Sequence, residues 1–161
     1  MVDVSGSMGD VIQKIRETLV ENIDKLDPLD RFAVFSFDEK AYMRQSLHPV
    51  EKIMRKNELP GLLSRFKTKN CTALYDSVVQ VVRQIRDKEI HTSILVFTDE
   101  GDNASTSQMS DVLRVMEEYP KVALSIVHYD ASNQETVSRR ISEQFETFVT
   151  RTDFEMVKRV I

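Results

Sequence analysis

The chain has 161 residues, 41% of them hydrophobic and 30% charged, which is the balance of a soluble globular protein and long enough for one domain with a sizeable core. Its net charge of -4 argues against nucleic acid as a partner, because phosphate binding draws on a basic surface. No apolar run approaches the ~18 residues of a membrane span, and the single cysteine, Cys71, excludes an intramolecular disulfide.

The lone cysteine and the lack of a secretory signal before the first motif favour a cytoplasmic location. Cys71 reads as a small structural residue, since no histidine is placed to activate it. His48, His91 and His128 are widely spaced and form no zinc pattern.

Strands and helices alternate along the chain. Met1 and Val2 are the remnant of a first strand, well short of the usual length of about five or six residues, so the first strand is expected to be truncated. Val11, Ile15, Leu19, Ile23 and Leu26 recur at helical spacing and predict a helix beginning just after Ser7. Arg31 to Asp38 reads as a strand, and Ala41 to Ser46 as its hairpin partner across Asp38-Glu39-Lys40. Pro49 to Phe66 is a weaker helical region interrupted by Pro60-Gly61.

Leu74, Val78, Val81 and Ile85 predict the next helix. Thr92 to Phe97 is a continuous apolar run, the pattern of a strand covered on both faces. Met109, Val112, Leu113 and Met116 predict another helix, and Val122 to Val127 another buried strand. Val137, Ile141 and Phe145 mark a helix opened by Ser132 and Glu135 as a capping box. Thr147 to Val149 is a brief strand, and a last helix begins near Phe154 behind Thr152 and Glu155.

This alternation predicts a single α/β domain over residues 1–161. Its sheet should be doubly wound and mostly parallel, with one antiparallel edge strand and helices on both faces. In such sheets ligands bind beyond the carboxyl ends of the strands, where the strand order reverses.

The residues at those ends are oxygen donors. Asp3, Ser5 and Ser7 lie one residue apart in the run Asp-Val-Ser-Gly-Ser and can converge from one tight loop. Asp99 closes the run Ile-Leu-Val-Phe-Thr-Asp, and Thr72 stands just before the helix that Leu74 begins. One carboxylate and two hydroxyls in a loop, with a further hydroxyl and carboxylate on other loops, suit a hard cation such as Mg²⁺ better than Zn²⁺. Taken singly, each has a plainer reading: serine, aspartate and threonine are ordinary caps and turn residues.

Together, Asp3-Val-Ser5-Gly-Ser7, Thr72 before Ala-Leu-Tyr-Asp, and Thr98-Asp99 resemble the metal-ion-dependent adhesion site of von Willebrand factor A domains. The resemblance runs over nearly the whole chain and implies a Rossmann-like fold. It implies one divalent cation, Mg²⁺ with Mn²⁺ or Ca²⁺ as alternatives, held by Asp3, Ser5, Ser7, Thr72 and Asp99. It also implies a protein partner that completes the metal shell with an acidic side chain, and no enzymatic activity. Asn70 and Cys71 stand where the family often has glycines, and Glu100 and Gly101 exchange places relative to a common family run. Glu100, Asp102 and Asn103 are expected to line the rim of the site.

Two other functions are compatible with the same residues. Aspartates at strand ends with Mg²⁺ also serve phosphoryl transfer, so a metal-dependent phosphohydrolase is one. Against it, the opening loop has serine where a second acid–base group is expected, and no lysine is placed for a phosphate. The other is a scaffold domain of a larger complex that keeps the site for stability.

Overall fold

The computed structural model describes residues 1–52, 71–99 and 102–128. Five strands, β1 (Val2–Asp3), β2 (Arg31–Phe37), β3 (Ala41–Pro49), β4 (Thr92–Thr98) and β5 (Val122–His128), form one sheet in the order β3-β2-β1-β4-β5. All neighbours are parallel except β2 and β3, which pair antiparallel at the edge. Three helices described over their whole length accompany it: α1 (Gly9–Asn22), α2 (Leu74–Arg83) and α3 (Met109–Glu118). The architecture is the doubly wound α/β sheet expected from the alternation of periods.

Two apolar clusters show that the helices cover both faces. Val11, Ile12, Ile15 and Leu19 of α1 are buried with Val2, Val4, Val34 and Phe97 on one side. Leu74, Val78, Val81 and Val82 of α2, with Val112 and Val115 of α3, are buried against Phe35, Phe37, Ile94, Val96 and Val122 on the other. The helical spacing of these residues builds one apolar stripe per helix, and each stripe finds its own side of the sheet. Ile94, Val96 and Phe97 are buried because β4 is enclosed from both sides.

Several boundaries differ from the sequence pattern. The edge strand β3 runs to Pro49, three residues beyond the predicted end, because His48 pairs with Phe32 and Pro49 with Arg31. A proline closes an edge strand without leaving a ladder donor unmet. The helical segment expected from Pro49 therefore begins at residue 50, and most of it lies outside the described residues. The helix over 137–145, the strand over 147–149 and the helix from 154 also lie outside them. A three-residue 3₁₀ turn, Gly6–Met8, stands between Ser5 and α1.

The sheet order reverses between β1 and β4. β2 and β3 lie to one side of β1, β4 and β5 to the other. Asp3 ends β1, and Asp99 follows the last residue of β4. The crevice at this switch point therefore has a carboxylate from each wall.

Candidate metal centre

The loop after β1 is held from inside. Asp3 is fully buried, and its two oxygens have different jobs. Oδ1 accepts the Ser5 amide at 2.8 Å, which curls the chain back over the strand end. Oδ2 accepts the Thr98 hydroxyl at 2.6 Å, which ties β1 to β4 at the switch point. Burial pushes the Asp3 carboxyl above its usual range, and the nearby Asp99 charge adds to this. Hydrogen bonds from Thr98 and Ser5 oppose both.

The two serines of the loop continue the network. Ser5 Oγ and Ser7 Oγ lie 3.1 Å apart, and Ser7 Oγ donates to Asp99 Oδ1 at 3.1 Å. Four of the five predicted donors, Asp3, Ser5, Ser7 and Asp99, thus join in one hydrogen-bonded chain that closes through Thr98 of β4. The plainer capping reading fails here. Ser5 precedes the 3₁₀ turn and Met8 precedes α1, and neither makes a side-chain cap bond. The serine hydroxyls face the carboxylates instead.

Thr72 reaches the same rim by another route. The Ala73 amide donates to Asp38 O at 2.6 Å, just beyond the end of β2, whose Phe37 pairs with Asp3. On its other side Thr72 is gripped by Asn103, four residues past Asp99. The Thr72 amide donates to Asn103 Oδ1 at 2.8 Å, and the Asn103 amide donates to Thr72 O at 3.0 Å. Thr72 does not cap α2: Ala73 is the capping residue and makes no side-chain cap bond. Its own hydroxyl, Thr72 Oγ1, is buried and has no hydrogen-bond partner. A buried hydroxyl left unpaired costs about 1–3 kcal/mol, and among the described residues Thr72 Oγ1 shares this state with Ser77 Oγ of α2.

The sequence pattern places Asp102 and Asn103 on the rim but does not reveal their part as clamps; Glu100 lies outside the described residues. Asp102 Oδ1 accepts the Tyr75 amide at 3.2 Å, and Ser105 Oγ accepts the Asp76 amide at 3.0 Å. Asp76 answers by accepting the Thr106 and Ser107 amides at 2.8 and 2.9 Å. The first turn of α2, whose amides lack helical partners, is thus satisfied by the loop after Asp99. The polar run Asp102 to Ser107 announces a loop rich in side-chain-to-backbone bonds, but nothing in it names α2 as the target.

The donor set fits a hard divalent cation. It is all oxygen, with two carboxylates and three hydroxyls, and its charge of about -2 matches a +2 ion. Among the described residues no three His, Cys, Asp or Glu side chains gather as a metal cluster, so the fit rests on the hydroxyls as much as on the acids. A nearby cation would also favour ionised Asp3 and relieve its repulsion with Asp99.

The sequence profile of the von Willebrand factor type A domain matches residues 1–161. The chain belongs to that family. No curated protein sequence matches it significantly. Among solved structures, it is similar to a von Willebrand factor type A protein from Catenulispora acidiphila, at 17% identity and a TM-score of 0.64, covering 89% of this chain and 41% of that one. It is also similar to proximal thread matrix protein 1 of the mussel byssus with a zinc-occupied metal-ion-dependent adhesion site, at 15% identity and a TM-score of 0.67, covering 94% and 44%. A mutant of the PilB minor pilin from Streptococcus sanguinis gives a TM-score of 0.70 at 8% identity, covering 94% and 59%. The chain spans less than two thirds of the length of each of these three structures.

Within the family fold, the described part of the chain brings Asp3, Ser5, Ser7 and Asp99 together at the sheet's switch point. Among the described residues no helix is long and apolar enough to cross a membrane.

Proposed function

We propose that this domain is a metal-dependent protein-binding module. Asp3, Ser5, Ser7, Thr72 and Asp99 would hold one divalent cation, with Mg²⁺ preferred because every donor is a hard oxygen. The bound ion would supply a Lewis-acidic position for one further anionic oxygen. An Asp or Glu side chain of a protein partner is the natural source, since the hydroxyls leave the cation neutralised by two carboxylates only.

The observation that supports this reading most is the buried Thr72 hydroxyl without a partner, on a loop clamped to the same rim as Asp3 and Asp99. The chain's own residues do the positioning. Thr98 holds Asp3, Ser7 links the opening loop to Asp99, and Asn103 fixes Thr72. The reading is a binding module rather than a hydrolase, because the opening loop presents serines where acid–base chemistry needs a second acid. The zinc seen in the mussel relative belongs to that protein, and competition between Mg²⁺ and Zn²⁺ decides the preference here.

The test is thermal unfolding with Mg²⁺ and with a chelator. Ligand at a hundredfold excess over its Kd stabilises by about 2.7 kcal/mol, a rise of several degrees in Tm. Asp3→Ala should abolish the rise. Equal Tm values with saturating Mg²⁺ and with EDTA would sink the proposal.

A further inference from the structure

β3 is the outermost strand on its side of the sheet, and among the described residues only β2 pairs with it. The direction of its backbone groups follows from β2. Phe37 O accepts the Val4 amide at 2.9 Å, so Phe37 turns its backbone toward β1. Alternate residues of a strand share a direction, so Phe35, Ala33 and Arg31 turn toward β1 as well. The β3 residues opposite them therefore face outward: Ala41 opposite Phe37, Met43 opposite Phe35 and Pro49 opposite Arg31. Gln45 pairs with Val34 and His48 with Phe32, so Ser46 and Leu47 together lie opposite Ala33 and face outward too.

Outward backbone groups on an edge strand are a template for another strand. Here side chains already take most of them. The Ala41 amide donates to Gln80 Oε1 at 3.2 Å, and Ala41 O accepts from Gln80 Nε2 at 2.9 Å. Those are the two bonds that a residue of an added strand would make. Ser46 O accepts from Gln45 Nε2 at 3.0 Å, and His48 Nδ1 is also 3.0 Å from it. Leu47 O accepts from Arg31 Nη2 at 3.4 Å. Pro49 has no amide to offer. Singly, each is an ordinary surface bond. Together they fall on the outward positions of one strand, and only Met43 is passed over.

We propose that these side chains seal the β3 edge against β3 of a second copy of this chain, with Gln80 as the main latch. Gln80 reaches the edge from α2, and it blocks both backbone groups of one residue. The pairing it prevents has an apolar incentive. Met43 and Leu47 are 52% and 47% exposed on the edge strand, and two copies side by side would cover them. Arg44, exposed at the register shift beside Met43, places a like charge on each copy and works with the seal. This inference is independent of the metal-binding proposal.

Sedimentation velocity of the whole chain over a series of concentrations tests it, with circular dichroism to show that each variant is folded. The parent should sediment as one chain throughout. Gln80→Ala combined with Gln45→Thr and His48→Thr opens the edge and should shift the mass toward two chains or more as concentration rises. Gln80→Ala alone, the milder change, should shift in the same direction. Adding Met43→Pro should return either variant to one chain. Proline removes an outward amide that an added strand needs, and the ladder to β2 does not use that amide. Val78→Ala weakens the packing of α2 without touching the edge, and it should stay at one chain. Opened variants that remain single at every concentration would overturn the seal. So would association that Val78→Ala shares or that Met43→Pro leaves intact, because loss of stability would then be the cause. A parent that associates and is made single by Met43→Pro would show an edge already open, and that too would overturn it.

Discussion

Asn103 and Thr72 hold each other twice: the Thr72 amide donates to Asn103 Oδ1 at 2.8 Å, and the Asn103 amide donates to Thr72 O at 3.0 Å. This two-way grip joins the loop after β4 to the loop before α2. The loop that contains Asn103 begins at Asp99, so the grip fixes the fourth proposed donor relative to the fifth. Partners that orient ligands in this way are typically worth 10–100-fold in metal affinity. Asn103→Ala removes the side-chain half of the grip and leaves all five proposed donors in place. The expected outcome is a loss of about tenfold in Mg²⁺ affinity by calorimetry. An unchanged affinity would show that Thr72 is placed without Asn103.

Thr72→Val separates ligation from stability. Valine keeps the shape and removes the buried hydroxyl that has no partner. In chelator the variant should be as stable as the parent or more stable, by about 1 kcal/mol, because an unpaired buried polar group is gone. With Mg²⁺ it should lose most of the parent's gain in Tm. A variant that is less stable than the parent in chelator would mean that Thr72 Oγ1 has a structural partner after all.

Much of this is legible in the residue pattern. Short apolar runs place β2, β4 and β5, the 3.6-residue spacing places three helices, and the continuous run Ile94 to Phe97 announces a strand enclosed on both sides. Asp3, Ser5, Ser7 and Asp99 can be proposed together because each follows or ends a strand, and chain order carries that information. What escapes is set by tertiary contact. The extension of β3 to Pro49 depends on pairing with Arg31, far away in sequence, and a proline signals an end whichever element it belongs to. The clamp by Asp102, Asn103 and Ser105 consists of side chains meeting amides about thirty residues away, which no local spacing encodes.

Asp76 makes stability depend on acid. Its carboxyl is held below the usual range: partial burial raises it, but hydrogen bonds from Ser107 and Thr106 outweigh that. A carboxyl whose pKa is lower in the folded chain contributes stability that is present above its unfolded value, near 3.8. That contribution fades as pH falls from about 4 through the folded value. Asp76→Asn keeps the shape but replaces the charge-assisted bonds with weaker ones. It should be less stable at neutral pH, by a margin that solvent screening of this largely accessible carboxylate keeps small, and show a flatter stability profile below about pH 4. Parallel profiles of parent and variant in urea unfolding from about pH 5 to 2 would remove Asp76 from the account.

Gln80 offers the control that separates fold from site. Its side chain bridges α2 to the start of β3, donating from Nε2 to Ala41 O at 2.9 Å and accepting the Ala41 amide at Oε1 at 3.2 Å. The amide group thus satisfies both backbone groups of a residue that is itself buried. Gln80→Leu leaves both without that partner, and each buried group left unpaired costs about 1–3 kcal/mol. The bridge lies on α2 some two turns beyond Thr72 and touches none of the five proposed donors. Unfolding in urea should therefore show a loss of about 2 kcal/mol or more. The shift in midpoint produced by saturating Mg²⁺ should stay that of the parent, because the site's own bonds are untouched. A variant that lost the Mg²⁺ response along with stability would show that the placement of Thr72 depends on how α2 is anchored to β3.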